Sequence, residues 1–217
     1  MKKINLKHAA FILVLLVFSG AVVRAENSQA AAYVNQGIVE FNKGNYDGAI
    51  ADYTQALAID PQDAIAYQNR GIAKDDQKDY DGAIADYTQA IALNPQYADA
   101  YYNRGNAECP KGSFDGAIAD YTQAIALNPQ NVGAYVNRGF TKDKQKDYDG
   151  AIADYTQAIA IDPNYAVAYD CRGNAKDKQK DYGGAIADWE NEIALVPSSK
   201  EKLQSKIDEA QAKLNPR

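Results

Sequence analysis

Apolar and small residues recur in this chain with steps of three and four residues, which is the spacing of one face of an α-helix. In the segment Tyr80–Pro95 this face consists of Tyr80, Ala83, Ile84, Tyr87, Ala90 and Ile91. The preceding segment shows the same spacing at Ala64, Tyr67, Gly71 and Ile72. The pattern predicts two successive amphipathic helices. We expect Gly71 to face Ala83 and Ala90 across the pair, so that the helices approach closely.

The second segment returns at a constant interval along the chain. Its copies are Tyr46–Pro61, Phe114–Pro129, Tyr148–Pro163 and, in looser form, Tyr182–Pro197. A fixed period of about 34 residues indicates stacked helix pairs rather than a domain that is built once. The residue before each segment is a suitable N-cap, because its short polar side chain can accept a hydrogen bond from an exposed helix amide. These residues are Asn45, Asp79, Ser113, Asp147 and Asp181.

Five positions of the unit carry the same kind of residue from copy to copy. In residues 64–97 they are Tyr67, Gly71, Ala83, Tyr87 and Pro95. This set resembles the tetratricopeptide repeat (TPR), here of an exported bacterial type. The family's usual Leu at the seventh position is absent, and Gln36 or an arginine stands there. The resemblance implies an all-α fold: a right-handed superhelical solenoid of five helix-turn-helix repeats and a C-terminal capping helix.

The repeat frame divides the chain without insertions. The five TPR units are expected at residues 30–63, 64–97, 98–131, 132–165 and 166–199, after a short lead-in at 26–29. Residues 200–217 carry an apolar stripe in otherwise charged sequence, consisting of Leu203, Ile207, Ala210 and Leu214. Because a solenoid needs a terminal element with a polar outer face, this segment is predicted to form the cap.

Residues 1–25 show the order of features of a secretory signal peptide. Lysines at the start precede the apolar run 9–18, and residues 23–25 (Val-Arg-Ala) are small or apolar at the two positions that signal peptidase reads. The run is shorter than the roughly 20 apolar residues of a bilayer span. We therefore expect export to the periplasm or the extracellular space without stable membrane insertion. The alternative is an uncleaved N-terminal anchor.

The charge and the residue inventory exclude several classes of function. The formal net charge is −6, and residues 1–25 hold four basic residues and no acidic one, so the exported chain is more acidic still. Without a basic run, such a chain is not expected to bind nucleic acid. The single histidine, His8, lies in the predicted signal peptide and is expected to be removed with it. The mature chain would then have no histidine for catalysis or metal binding. We expect no enzymatic activity, no cofactor and no metal site.

The two cysteines, Cys109 and Cys171, occupy different positions in repeats that are two units apart. Stacking steps of roughly 10 Å per repeat place them beyond the Cα separation of about 7 Å that a disulfide tolerates. No intramolecular disulfide is expected, and a disulfide between two molecules is the alternative.

In the resembled family the first helices of the repeats line a concave groove. The sixth position of these helices carries Asn in four repeats, and a row of carboxamides can pair with the main chain of an extended peptide. Aromatic neighbours are typical of binding hot spots. The predicted peptide-binding groove consists of Asn35, Asn69, Asn103, Asn137, Phe41, Ile72, Tyr102, Asn106, Phe140 and Asn174. The structural alternative is that Asn is simply the common residue at the sixth position.

These features favour a non-enzymatic scaffold that binds an extended peptide or a protein in its groove. Some relatives clamp a peptide's terminal carboxylate with Lys and Arg, but the matching positions here hold residues such as Ile65, Asp99 and Gly133. The alternative is a structural or assembly factor of the cell envelope, which acts through its ends or its convex face and can self-associate.

The arginines at the seventh position suggest a link between repeats. Each follows an Asp of the preceding repeat at a constant interval, and the first repeat, which no repeat precedes, has Gln36 instead. The planar guanidinium suits a carboxylate, because it can donate two parallel hydrogen bonds. Pairs across the seams are therefore predicted for Asp52–Arg70, Asp86–Arg104, Asp120–Arg138, Asp154–Arg172 and, in the cap, Asp188–Lys206.

We predict that the mature protein lacks residues 1–25 and begins at Glu26. The short apolar run and the Val-Arg-Ala sequence that follows it support cleavage at this point. Intact-mass spectrometry of the protein purified from its native source would measure the N-terminus. A mass that includes Met1 would contradict cleavage.

Overall fold

Each repeat forms two α-helices joined by a short turn. The computed structural model describes residues 28–215, and these residues contain eleven α-helices and no strand. The first helix, α1, covers residues 28–42. It is followed by α2 (Tyr46–Ile59), α3 (Ala64–Asp76), α4 (Tyr80–Leu93), α5 (Ala98–Glu108), α6 (Phe114–Leu127), α7 (Val132–Lys144), α8 (Tyr148–Ile161), α9 (Ala166–Lys178), α10 (Tyr182–Leu195) and α11 (Lys200–Leu214). The predicted all-α fold is confirmed.

The helices group into two units, which divide between Pro95 and Gln96. We call them the N-terminal unit, with α1 to α4, and the C-terminal unit, with α5 to α11. Residues 28 and 29, which fall in the lead-in expected at 26–29, belong to α1. The predicted signal peptide, residues 1–25, lies outside the described residues.

The polar residue before the second helix of a repeat caps that helix in four of the five repeats. The side chains of Asn45, Asp79, Asp147 and Asp181 each accept a hydrogen bond from the backbone N–H three residues later, at 3.0–3.2 Å. Ser113, which was predicted to cap α6, makes no such hydrogen bond. At the other end, Asn94 leaves the helix with φ −134° and ψ 90°, the extended conformation that the following Pro95 favours.

A glycine lies against an aromatic ring inside every helix pair. A Cβ atom at Gly71 would be 2.6 Å from Cε1 of Tyr87, and one at Gly139 would be 2.8 Å from Cε1 of Tyr155. The rings are buried, with Tyr87 and Tyr155 each 1% exposed. The expectation that Gly71 faces Ala83 and Ala90 is therefore corrected, since the ring of Tyr87 fills that place. The absent side chain makes room for a ring between the two helices.

The C-terminal helix α11 covers the last turn of the array. Leu203, Ile207 and Ala210 are buried against α10 and form one cluster with Trp189. Leu214, the last member of the predicted stripe, is 51% exposed, so the buried face ends one turn earlier than the sequence pattern suggested. Among residues 28–215, no helix has the length and apolar character that crossing a membrane requires.

We predict that Gly139→Ala lowers the free energy of unfolding by about 1–3 kcal/mol, since overpacking forces the Tyr155 ring or the helices to move. Gly183→Ala is the matched control, because it also lies in a helix and a Cβ atom there meets nothing within 4 Å. This control should be neutral or raise stability by up to about 1 kcal/mol. Urea denaturation followed by circular dichroism measures both, and equal losses would contradict the packing argument.

Candidate functional site

From the second repeat onward, an arginine binds an aspartate of its own repeat. Arg70 donates from Nε and Nη2 to the two carboxylate oxygens of Asp86, at 2.9 and 2.7 Å. The equivalent pairs in the C-terminal unit are Arg104–Asp120, Arg138–Asp154 and Arg172–Asp188. Each bound aspartate follows its arginine in the sequence, whereas the prediction placed the partner before the arginine, in the preceding repeat.

The predicted seam pairs are therefore wrong. The rejected pairs are Asp52–Arg70, Asp86–Arg104, Asp120–Arg138, Asp154–Arg172 and Asp188–Lys206. The reason is geometric: each arginine precedes the glycine that touches the ring, and each aspartate precedes the residue that carries the ring. Close approach of the two helices of one repeat brings the two charged side chains together.

The arginine does contact the preceding repeat, but its partner there is a hydroxyl group. Arg138 donates from Nη1 to Oγ1 of Thr122 in the preceding repeat, at 3.0 Å. Arg70 and Thr54 make the same bond, as do Arg172 and Thr156. A second set of seam bonds runs from glutamine to aspartate side chains: Gln77 to Asp47, Gln145 to Asp115 and Gln179 to Asp149, at 2.6–2.7 Å. Hydroxyl and carboxamide groups thus take part in linking neighbouring repeats.

The cap is held by a different lysine contact from the predicted one. Lys206 donates to Asp170 at 2.9 Å and to Asn174 at 2.8 Å, while Asp188 is bound by Arg172 and Lys176. Asn174, a predicted groove residue, therefore helps to hold α11. It lines a narrow cleft of about 140 Å³ together with Trp189 and residues of the cap.

Glu108 makes the third repeat differ from its neighbours. In repeats two, four and five the equivalent position holds Lys74, Lys142 or Lys176, and each lysine binds the buried aspartate at 2.7–2.8 Å. Glu108 instead adds a second carboxylate beside Asp120, and its Oε2 is buried without a hydrogen-bond partner. Burial, followed by the charge of Asp120, raises the pKa of Glu108. The third repeat therefore has a second acidic group beside Asp120, and the charge of Arg104 offsets the rise in its pKa only in part.

The same five repeat positions line a cleft in each unit. In the N-terminal unit they are Ile38, Phe41, Tyr53, Asn69 and Ile72, which surround about 260 Å³. In the C-terminal unit, two repeats further along the chain, they are Asn106, Cys109, Tyr121, Asn137 and Phe140. The structure thus brings together the predicted groove residues Phe41, Asn69 and Ile72 in one cleft, and Asn106, Asn137 and Phe140 in the other.

The cleft of the C-terminal unit is the larger one, at about 560 Å³. Pro110, Phe114 and the 46%-exposed Phe140 supply apolar walls, and Lys144 lies at its edge. Cys109 stands where the other cleft has the ring of Phe41, so a small side chain leaves the space open. Sequence reasoning missed Cys109 as a cleft residue, although its place in the repeat frame, equivalent to Phe41, was visible.

Two carboxamides and two tyrosines form a hydrogen-bond network at the wall of the larger cleft, which we call the amide wall: Asn106, Asn137, Tyr102 and Tyr121. Asn137 Nδ2 donates to Asn106 Oδ1 at 2.8 Å and to the Tyr102 hydroxyl at 3.1 Å. The Tyr121 hydroxyl also donates to Asn106 Oδ1, at 2.9 Å. Within residues 28–215, Asn106 Nδ2 and Asn137 Oδ1 have no partner, which leaves the amino group of one carboxamide and the carbonyl oxygen of the other free at the cleft.

The remaining predicted groove residues lie elsewhere. Asn35 is exposed and Asn103 is half-buried, and neither lines the clefts described above. Of the predicted row of four equivalent carboxamides, Asn69 and Asn137 line the two clefts, one in each unit. Among the described residues there is also no group of three or more His, Cys, Asp or Glu side chains that could hold a metal ion.

The two thiols are free and differ in their surroundings. Cys109 Sγ lies 3.2 Å from Oγ1 of Thr141 and 3.6 Å from the Tyr121 hydroxyl, at the wall of the larger cleft. Burial and the nearby charge of Asp170 raise the pKa of the Cys171 thiol to about 11. At neutral pH, Cys171 is therefore protonated, and a thiol in that form is a poor nucleophile.

The repeat pattern and the helix pairs define a known family. Family models described as TPR repeat match residues 37–74, 76–108 and 105–146, and one described as tetratricopeptide repeat matches residues 132–165. The chain belongs to the tetratricopeptide repeat family. A comparison with curated proteins gives no match.

Solved structures of TPR proteins share the fold. The crystal structure of MamA has 27% identity and a TM-score of 0.72, and the match covers 76% of this chain and 96% of MamA. YrrB, described as a TPR protein with an unusual peptide-binding site, has 21% identity and a TM-score of 0.72, with 87% and 97% covered. The first TPR of Spaghetti bound to an HSP90 peptide has 29% identity and a TM-score of 0.55, with 55% and 95% covered.

We predict that Glu108→Gln stabilises the protein at pH 7 by up to about 1 kcal/mol, because it removes a partly desolvated charge beside Asp120 that solvent screens in part. A carboxyl group whose pKa is raised by folding opposes folding once it ionises. The advantage of the variant should therefore shrink as the pH falls through the raised pKa towards the ordinary value of 4.5.

Thermal denaturation between pH 4 and pH 7 measures this difference. Glu190→Gln, on an exposed position of α10, makes the same chemical change without burial and should have little effect at any pH. A constant advantage of Glu108→Gln across this range would contradict the assignment to ionisation.

Proposed function

We propose that this chain is a non-enzymatic interaction module that binds an extended segment of a protein partner in the clefts between neighbouring repeats. The observation that carries the proposal is the recurrence of one cleft at the same five repeat positions in both units. Each cleft has a carboxamide beside an apolar or aromatic side chain. Carboxamides can pair with a peptide main chain, and aromatic side chains are typical binding hot spots.

The similarity to peptide-binding TPR structures supports this proposal. The Spaghetti repeat, which is 29% identical to the chain, is bound to an HSP90 peptide, and YrrB has a peptide-binding site by its description. The partner proposed here differs in how it is held. Among the described residues no cluster of cations lines either cleft, so main-chain and apolar contacts carry the binding in place of a basic clamp on a terminal carboxylate.

We further propose that the protein acts outside the cytoplasm. The supporting feature is the order of basic, apolar and cleavable segments in residues 1–25. The partner would then be an exported or envelope protein with an accessible extended segment.

Peptides selected from a displayed random library against residues 26–217 provide the test. Selected peptides should bind one to one, and Phe140→Asp should weaken them at least about tenfold, because a charge replaces an apolar wall. Val39→Asp is the matched control, since Val39 is 49% exposed, close to the 46% of Phe140, and lines none of the clefts. It should change affinity less than about twofold.

The Asn69→Ala and Asn137→Ala pair tests the polar side of each cleft. Loss of affinity in the double variant, with helix content unchanged, is expected if the carboxamides hold the main chain. Failure to enrich any peptide, or equal losses in Phe140→Asp and Val39→Asp, would contradict binding in the clefts.

A further inference from the structure

We propose that the cleft between the third and fourth repeats is a specificity pocket for one residue of the partner, an aromatic residue followed by an acidic one. This inference rests on the proposed function and adds the chemistry of the partner. It would make the two clefts unequal: the larger one selects a side chain, while the smaller one in the N-terminal unit contributes less discrimination.

Replacement of an aromatic residue by a cysteine contributes to the size of the pocket. Phe41 lines the first cleft and packs on Tyr46, with ring centroids 5.4 Å apart. In the larger cleft Cys109 is equivalent to Phe41, and Phe114 is equivalent to Tyr46. The ring of Phe41 therefore has no counterpart there, whereas the ring of Tyr46 does. The larger cleft therefore has room for an incoming ring in the position that Phe41 occupies in the first repeat.

The amide wall supplies the match to a main chain. Asn106 Nδ2 and Asn137 Oδ1 are unpaired within the described residues, while their other amide atoms are fixed by the network. A donating amino group beside an accepting carbonyl oxygen complements a peptide group, which presents one C=O and one N–H. Fixed side chains lose little conformational freedom on binding, so the pocket is already organised for an extended segment.

Charge complementarity indicates the neighbouring residue. Lys144 lies at the edge of the cleft, with Nζ 4.9 Å from the centre of the Phe140 ring. Two lysines nearby are already paired, Lys142 with Asp154 and Lys178 with Asp143. Lys144 has no carboxylate partner among the described residues. An acidic side chain next to the bound ring would pair with this ammonium group.

Acetylated hexapeptide amides test the inference by NMR titration of the full mature chain. The probe has the sequence Gly-Gly-Phe-Glu-Gly-Gly, and two further peptides replace its Phe by Ala or its Glu by Gln. We expect the Ala peptide to bind at least about tenfold more weakly, since a buried ring is lost. The Gln peptide should bind up to about fivefold more weakly, as for an exposed ion pair, and should lack the salt dependence of the probe.

Variants at one position separate filling of the pocket from chemistry of the thiol. Cys109→Phe reproduces the residue of the first repeat and should reduce the preference for Phe over Ala to less than about twofold. Cys109→Ala keeps the space open and should retain the preference. If Cys109→Phe does not fold, Phe140→Ala serves instead, because it removes one wall and should lower the preference in a protein with no added bulk.

The outcomes distinguish the inference from the proposed function. Equal binding of the Phe and Ala peptides at the clefts would overturn the specificity pocket and leave the interaction module standing. Equal binding of the Glu and Gln peptides would overturn the acidic requirement. If no peptide shifts any resonance of either cleft, while library selection also fails, both proposals fall.

Discussion

The contact between a glycine and an aromatic ring sets the spacing of each helix pair, and the other interactions depend on that spacing. The ring of Tyr87 lies on Gly71, and the same arrangement ends with Trp189 on Gly173. Because the arginine precedes the glycine and the aspartate precedes the ring, this contact also delivers the guanidinium to the carboxylate. In the third repeat the ring belongs to Tyr121, whose hydroxyl fixes Asn106 and so helps to shape the larger cleft.

In repeats two, four and five the buried aspartate is tolerated because an arginine and a lysine both bind it. The Asp154 side chain is only 4% exposed and is bound by both Arg138 and Lys142. The arginine in turn lies over the ring of Tyr135 and donates to Thr122 across the seam. A buried pair contributes less to stability than its removal costs, so these groups specify which helices meet while alanine and aromatic packing supplies most of the free energy.

The sequence predicts the helices and their pairing well, because periodicity and caps act locally. It could not assign the arginine partners, because a regular repeat makes two choices look alike. Asp86, for example, follows Arg70 and precedes Arg104, and both intervals recur in every repeat that has an arginine. Gln36 and Lys206 at the ends favoured the wrong choice, and nothing in the structure explains Gln36. Three residues of each cleft were predicted from their repeat positions. The difference in volume between the two clefts was not predicted, because it depends on the space that the side chains of Cys109 and Phe41 occupy.

The third repeat combines several departures, and they have a joint consequence for local unfolding. Glu108 replaces a lysine, Ser113 makes no capping hydrogen bond, and Cys109 leaves a cleft open. In a repeat array, stability is roughly the sum of what each repeat and each interface contributes, so opening events begin where that sum is smallest. Amide hydrogens of α5 and α6 would then exchange sooner than those of α7 and α8. The repeat expected to open first is thus the one that lines the larger of the two clefts.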